Sequence, residues 1–418
     1  MMKFISYFLL CLLFTGLLLT GCDSERNTPV KVGILHSMTG TMAMSEKPVI
    51  DATLLAIEEI NASGGVLGRK LQPIIVDGKS DWPSFANGAE QLINEKQVEV
   101  IFGAWTSASR KVIKPIIERH DHLLFYPVQY EGLESSPNIV YLGAVPNQQI
   151  TPVVQWSVEQ FGKRVFLMGS DYVFPRAAHV IIKAQLNALG AQVVGESYLP
   201  LGSHNVGKVI QKIDSSGADI IFNTINGDSN LAFFKQLSVK KIKTPVMSFS
   251  LSETELQEIE PRFMQGNYAA WSYFQSIETQ ENKEFVAKFK QKYGQDRSIN
   301  DPMVAAYVGV HLWAKAASDA KSVKPTAVRL AIKGQSLNSP KGKVIVSSMN
   351  NHLWQPLRIA KIQENQQFKI IFHDAELIRP LPYPMYKSKQ AWQKFLYQLY
   401  RKWEGSWSAP VQNTRGVS

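Results

Sequence analysis

Short apolar runs, too brief for helices, recur along this chain with helical-period segments between them, and that alternation restricts the fold more than any other feature. Residues 30–35, 71–76 and 98–102 are rich in β-branched side chains and end in polar or glycine-bearing loops, so they read as strands. Between the first two, residues 48–61 place Ala52, Leu55, Ala56 and Ile60 on one helical face, and Gly64-Gly65 stops the helix. Asp81 has the chemistry to cap a second helix with Pro83 in its first turn. Strands alternating with helices predict a parallel sheet with right-handed crossovers. The pattern then restarts. Runs at 123–126, 139–142, 165–168, 193–198, 220–223, 246–249 and 268–271 alternate with helices and predict a second α/β unit of similar construction. Residues 357–362 and 368–372 read as an edge hairpin across Glu364-Asn365. Pro115 is expected to kink its helix or end its first part.

Within the first unit, Gly103-Ala104-Trp105-Thr106-Ser107-Ala108-Ser109-Arg110-Lys111 sits where a buried strand hands over to a helix. Thr106 or Ser107 has N-cap chemistry, and Val112, Ile113, Ile116 and Ile117 follow at helical spacing. The hydroxyls therefore lie beside unpaired N–H groups that attract an electronegative atom. Capping alone would also explain them. Trp105 adds a flat apolar wall at the carboxyl end of a strand, the edge where open α/β sheets bind ligands.

The chain has 418 residues and a net charge of +10, with its Lys and Arg residues scattered except near the carboxyl end, a pattern that does not predict nucleic-acid binding. Lys3 followed by the apolar run 9–19 reads as a secretory leader, too short for a comfortable membrane span. It ends in Leu19-Thr20-Gly21-Cys22, which resembles the lipobox of bacterial lipoproteins; the resemblance implies cleavage before Cys22 and acylation of Cys22, which would anchor the protein in the bilayer. Asp23 resembles the signal that keeps such lipoproteins on the outer leaflet of the inner membrane, facing the periplasm. A plain secretory leader with an incidental cysteine is the other reading. Cys11 and Cys22 are the two cysteines, so the mature body is expected to hold no disulfide and no Cys metal site. His120-x-His122 is expected to be a surface pair, so no metal or other cofactor is predicted. The chain carries no G-x-S-x-G, G-x-x-x-x-G-K-[ST] or H-E-x-x-H motif, and no nucleophile–base set argues for an enzyme.

Several of these stretches together resemble the urea and short-chain amide substrate-binding proteins of ABC importers. They are residues 35–43, Asp77-Gly78-Lys79-Ser80-Asp81-Trp82-Pro83, residues 103–111, Tyr126-Pro127-Val128-Gln129-Tyr130-Glu131-Gly132, Ser170-Asp171-Tyr172-Val173-Phe174-Pro175-Arg176, Asn226-Gly227-Asp228-Ser229-Asn230 and Trp271-Ser272-Tyr273-Phe274. The resemblance spans residues 30–375 and departs from the family at Lys79 and Ala104. It implies the type I periplasmic-binding fold: two doubly wound α/β lobes joined by three crossovers and closing on ligand. Residues 30–146 and 276–352 would form one lobe, and 147–275 and 353–378 the other. It also implies a permease in the inner membrane as the partner.

Urea or a short amide is small, planar and neutral, so its pocket needs donors toward oxygen, acceptors toward nitrogen and a flat wall. Thr106 and Ser107 are assigned to the oxygen, Trp105 and Tyr172 to the wall, and Asp228 to the nitrogens, with Asp171 or Tyr126 behind it. Asp228 and Asp171 also fit as helix caps, Tyr126 as a strand end before Pro127, and Trp271 and Tyr273 as core aromatics. An amino-acid binder is the rival on the same fold, its carboxylate held by Thr106 and Ser107. A sensory role feeding a membrane receptor is the third reading.

Beyond residue 378 the character changes. Residues 379–384 form a stiff proline-rich spacer, and Trp392, Phe395, Leu396, Leu399, Tyr400 and Trp403 then recur at helical spacing among Lys387, Lys389, Lys394, Arg401 and Lys402. This basic amphipathic tail either lies on anionic lipid or docks back on a lobe.

Overall fold

The computed structural model describes residues 28–374 and 376–410; the leader and Cys22 lie outside the described residues. Its first sheet is assembled from β1 (Val30–His36), β2 (Leu71–Asp77), β3 (Ile101–Gly103), β4 (Leu124–Tyr126) and β5 (Ile139–Tyr141). The order is β2-β1-β3-β4-β5, and every pairing is parallel. Apart from the partly exposed edge strand β2, these strands are covered on both faces, which is why they appear in the sequence as apolar runs.

The second sheet repeats that plan with β6 (Arg164–Ser170), β7 (Gln192–Leu199), β8 (Ile220–Thr224), β9 (Val246–Ser248) and β10 (Tyr268–Trp271), in the order β7-β6-β8-β9-β10. A third group, β11 (Ser336–Ser339), β12 (Gly342–Val346) and β13 (Leu353–Trp354), forms a small antiparallel sheet. β14 (Arg358–Ile362) and β15 (Phe368–His373), the expected hairpin, join the far edge of the second sheet antiparallel to β10. The chain passes between the two large sheets three times, after β5, after β10 and after β13.

One apolar core surrounds the first sheet and also takes Phe285 and Phe289 from the Gln280–Tyr293 helix and Met303 and Trp313 from the Asp301–Asp319 helix. Two further cores cover opposite faces of the second sheet. The Ser107–Arg119 helix continues past Pro115 rather than ending there. A proline deletes one backbone hydrogen bond, and here Ile113, Ile116 and Ile117, all buried in the first core, hold the helix across the gap. The tail docks: Trp392, Leu396 and Trp403 on the Lys389–Lys402 helix are buried in the core shared with the second sheet, leaving the lysines outward. Among the described residues, no helix is long and apolar enough to cross a membrane.

Candidate functional site

In both sheets the strand order reverses beside the first strand laid down, between β1 and β3 and between β6 and β8. Loops leaving the carboxyl ends of two such neighbours diverge and open a crevice between them. The two crevices face each other. Thr41, in the loop after β1, donates its hydroxyl to Asp228 Oδ1, after β8, at 2.5 Å. Trp105, after β3, donates its indole N–H to Asn226 Oδ1 at 3.4 Å. Ser45 donates to Glu255 at 2.6 Å. The lobes are closed on one another along this line.

The Thr41 loop is pinned from behind by Asp77 and Ser80. Asp77 accepts from the Met38 N–H at 2.7 Å and the Thr39 hydroxyl at 2.8 Å, while Ser80 Oγ donates to the Thr39 carbonyl at 2.8 Å and accepts from the Met42 N–H at 3.0 Å. Burial would raise the Asp77 pKa, but these donors outweigh it and lower it. At Gly103 a Cβ would stand 2.2 Å from the Leu35 carbonyl oxygen, so no side chain fits. Ala104 follows at φ 63°, a left-handed conformation that costs a non-glycine residue about 1–2 kcal/mol. That turn aims Trp105 across the gap.

Five of the residues assigned from sequence come together here: Trp105, Thr106, Ser107, Tyr126 and Tyr172 are each at most 2 % exposed. Thr106 is the N-cap and uses its hydroxyl on Ser109, accepting from its N–H at 3.0 Å. Ser107 donates to Glu131 and accepts from Arg110 Nη1 at 3.2 Å. Tyr126 donates to the Trp105 carbonyl at 2.5 Å, which fixes the indole from below. Burial, with the negative charge of Glu131 adding to it, pushes the Tyr172 hydroxyl well above its ordinary pKa. Asp171 and Asp228 stand apart, at the rim. Asp171 is engaged by Arg176 through two parallel bonds of 2.8 and 2.9 Å, and Asp228 holds Thr41 with His204 at 3.6 Å. Asp228 occupies the N-cap position of the Ser229–Val239 helix without bonding to it through its side chain.

The group missed from sequence is the charge beneath the site. Glu131 is fully buried, and Arg110 reaches it at 3.4 Å and Glu134 at 2.9 Å, while Lys111 reaches Glu134 at 2.7 Å. Burial would raise the Glu134 carboxyl, yet Arg110 and Lys111 hold it well below the usual carboxylate range. The Arg110 guanidinium also lies over Tyr130, 4.2 Å from the ring centre, and Tyr126, 4.7 Å away. Tyr130 in turn meets His352 Nε2 at 2.6 Å, and His352 Nδ1 lies 2.6 Å from the Asn350 carbonyl. A carbonyl only accepts, so Nδ1 carries the proton and Nε2 accepts the hydrogen bond that the Tyr130 hydroxyl donates. Burial lowers the His352 pKa to about 3. The signal for this cluster was present in Tyr130-Glu131-Gly132.

The His120/His122 pair divides: His120 is exposed beside Glu90 at 3.0 Å, whereas His122 is buried, with Nε2 2.7 Å from the Val98 carbonyl. Surface pairing failed because the second residue after the helix cap turns inward to satisfy that carbonyl. Among the described residues, no group of His, Cys, Asp and Glu side chains is arranged to hold a metal ion.

A periplasmic binding protein domain model matches residues 30–389. The chain belongs to the periplasmic binding protein family. As a binding protein it is similar to Leu/Ile/Val-binding protein homolog 6 of Brucella melitensis, 23 % identical over 346 residues, covering 80 % of this chain and 87 % of that one. Homolog 4 of the same organism is 19 % identical over 376 residues, covering 85 % and 89 %. Among solved structures, a solute-binding protein of an ABC transporter from Rhodopseudomonas palustris, in complex with p-hydroxybenzoic acid, superposes with a TM-score of 0.77 at 22 % identity, covering 84 % of this chain and 98 % of the other. A leucine-binding protein from Thermotoga maritima gives 0.74 at 19 % identity, covering 82 % and 98 %. This binding protein therefore has the type I periplasmic-binding fold.

Proposed function

We propose that this protein captures urea or a short-chain amide between its lobes, on the periplasmic face of the inner membrane, where acylated Cys22 holds it, and delivers the solute to an ABC permease. One observation carries the reading: two buried cations beneath the site are already neutralised by two buried carboxylates, under a gap that Trp105 and Asn226 span at 3.4 Å. An anionic guest would compete with Glu131 and Glu134 for Arg110 and Lys111. A small neutral guest would leave them paired, lay its plane against Trp105 and Tyr172, and give its N–H groups to Glu131 or Asn226. Family membership supports a periplasmic binding role, and the Rhodopseudomonas neighbour's ABC transporter supports the permease as partner.

A branched-chain amino acid is the second reading, favoured by the names of the Brucella relatives and the Thermotoga neighbour. Calorimetric titration of the mature protein with urea, acetamide, formamide, leucine and 4-hydroxybenzoate separates them. Saturable heat from urea or an amide, with none from leucine, is expected; tighter binding of leucine or the benzoate overturns the amide assignment.

A further inference from the structure

The last described stretch of the tail lies on the rim of the site. Ser408 pairs with Tyr172 in an antiparallel bridge, the Val173 N–H donates to the Trp407 carbonyl at 2.9 Å, and the Ala409 N–H donates to the Asp171 carbonyl at 3.0 Å. These bonds fasten it to the second lobe, next to the tyrosine that walls the site. From the first lobe, Trp82 donates its indole N–H to Ser408 Oγ at 2.9 Å, and the Lys111 ammonium stands 4.9 Å from the centre of the Trp407 ring. A cavity of about 610 Å³ opens at this point, lined by Thr41 and Trp82 of one lobe, Asp171 and Arg176 of the other, and Ser408 and Ala409 of the tail.

The two grips differ in kind. On the second lobe the tail is held by backbone pairing and by the buried Trp392, Leu396 and Trp403. Near the rim, the polar contacts to the first lobe are one side-chain hydrogen bond and one cation–aromatic contact, beside apolar packing in the core that also takes Ala108, Leu133 and Trp82. A further bond to the first lobe, from the Leu133 N–H to the Pro382 carbonyl at 2.7 Å, lies at the start of the tail, next to residues 379–381, which bond with Asn147 where the chain first passes between the sheets. The chain connections tie the lobes at that passage, so a hinge there would part the rim more than the passage.

We infer that residues 407–409 form a strap across the mouth of the cleft, which stays on the second lobe and must let go of Trp82 and Lys111 before a solute enters or leaves. Because the same residues pair with Tyr172, the strap also holds that ring in place. The inference rests on the cleft being the solute site, but its test needs no solute.

The mature chain with Cys22→Ser has no cysteine, so fluorophores on Glu95→Cys and Lys212→Cys, both exposed and one on each lobe, report opening by single-molecule energy transfer. Ser408→Ala is expected to raise the opening rate about five-fold, the size of one net hydrogen bond. Trp82→Phe, which keeps the ring and removes the donor, should match it, and the double variant should add nothing. A chain ended after Gly405, which retains the tail helix, should open faster still. Opening rates unchanged in both Ser408→Ala and the shortened chain overturn the strap. Faster opening in a protein that gives no heat with urea leaves the strap standing and removes the amide alone.

Discussion

Among the described residues, two buried clusters of charge are balanced in different ways. Under the site, Arg110 and Lys111 face Glu131 and Glu134, two of each sign, with the guanidinium between two tyrosine rings. Where the chain passes between the sheets, Lys341 meets Asp301 at 3.2 Å, and its other partners are uncharged: the Ser272 hydroxyl at 2.8 Å and Gln355 Oε1 at 3.1 Å. Nearby, Glu253 accepts from the Gln275 N–H at 2.8 Å, but its second oxygen is buried without a partner among the described residues. Burial, with Asp301 and Glu255 adding to it, raises the Glu253 pKa to about 8. The site cluster is a closed lattice of ions. The cluster at the passage relies on neutral dipoles, on the Arg358 guanidinium in the field of Asp301, and on a proton.

Removing a cation should therefore hurt unequally. Arg110→Ala leaves buried carboxylates short of their main counter-ion and is expected to cost about 3–5 kcal/mol in urea-independent thermal or guanidinium unfolding. Lys341→Met, nearly the same length, leaves Asp301 its hydrogen bond from Ser272 and the field of Arg358, and is expected to cost less, about 3 kcal/mol, on the same measurement. Equal losses would break the contrast between the clusters.

The smallest effect concerns pH. Folded Glu253 keeps its proton to about 8, whereas the unfolded chain releases it near 4.5, so its contribution is complete below 4.5 and is lost as pH rises toward 8. His352 acts in the opposite sense: folded pKa about 3 against 6.5 unfolded, so its contribution is complete above 6.5 and is lost as pH falls toward 3. The window from 6.5 to 8 isolates Glu253. There Glu253→Gln should gain on the parent by up to about 1.4 kcal/mol per pH unit in denaturant titrations. Parallel curves across that window would show that the carboxyl is ionised in the folded state.

The strands of both sheets could be read because a buried parallel strand has no polar face to disguise it; residues 268–271 are such a run, and β10 spans them. β11 was overlooked, since Ser-Leu-Asn-Ser has no apolar alternation and is a strand only by pairing with β12. The Glu253–Glu258 helix was also missed, being short and acidic. In the site, the aromatic and hydroxyl residues announced themselves beside strand ends. Arg110, Lys111, Glu131 and Glu134 did not, because charge in a sequence looks like solvated surface, and only tertiary packing, with Tyr126, Tyr130 and Tyr141 around it, puts it indoors. Asp171 and Asp228 were read as acceptors for the ligand's nitrogens, and neither their place at the rim nor the partners that engage them, Arg176 and Thr41, could be read from the sequence.

A polypeptide that threads back and forth between its halves cannot be split by severing a single link. Nicked by a protease in any one of its three connections, the molecule would remain tied by the other two. Expressing residues 147–275 alone would omit β14 and β15 and leave β10 as a bare edge, inviting self-association rather than yielding a free half.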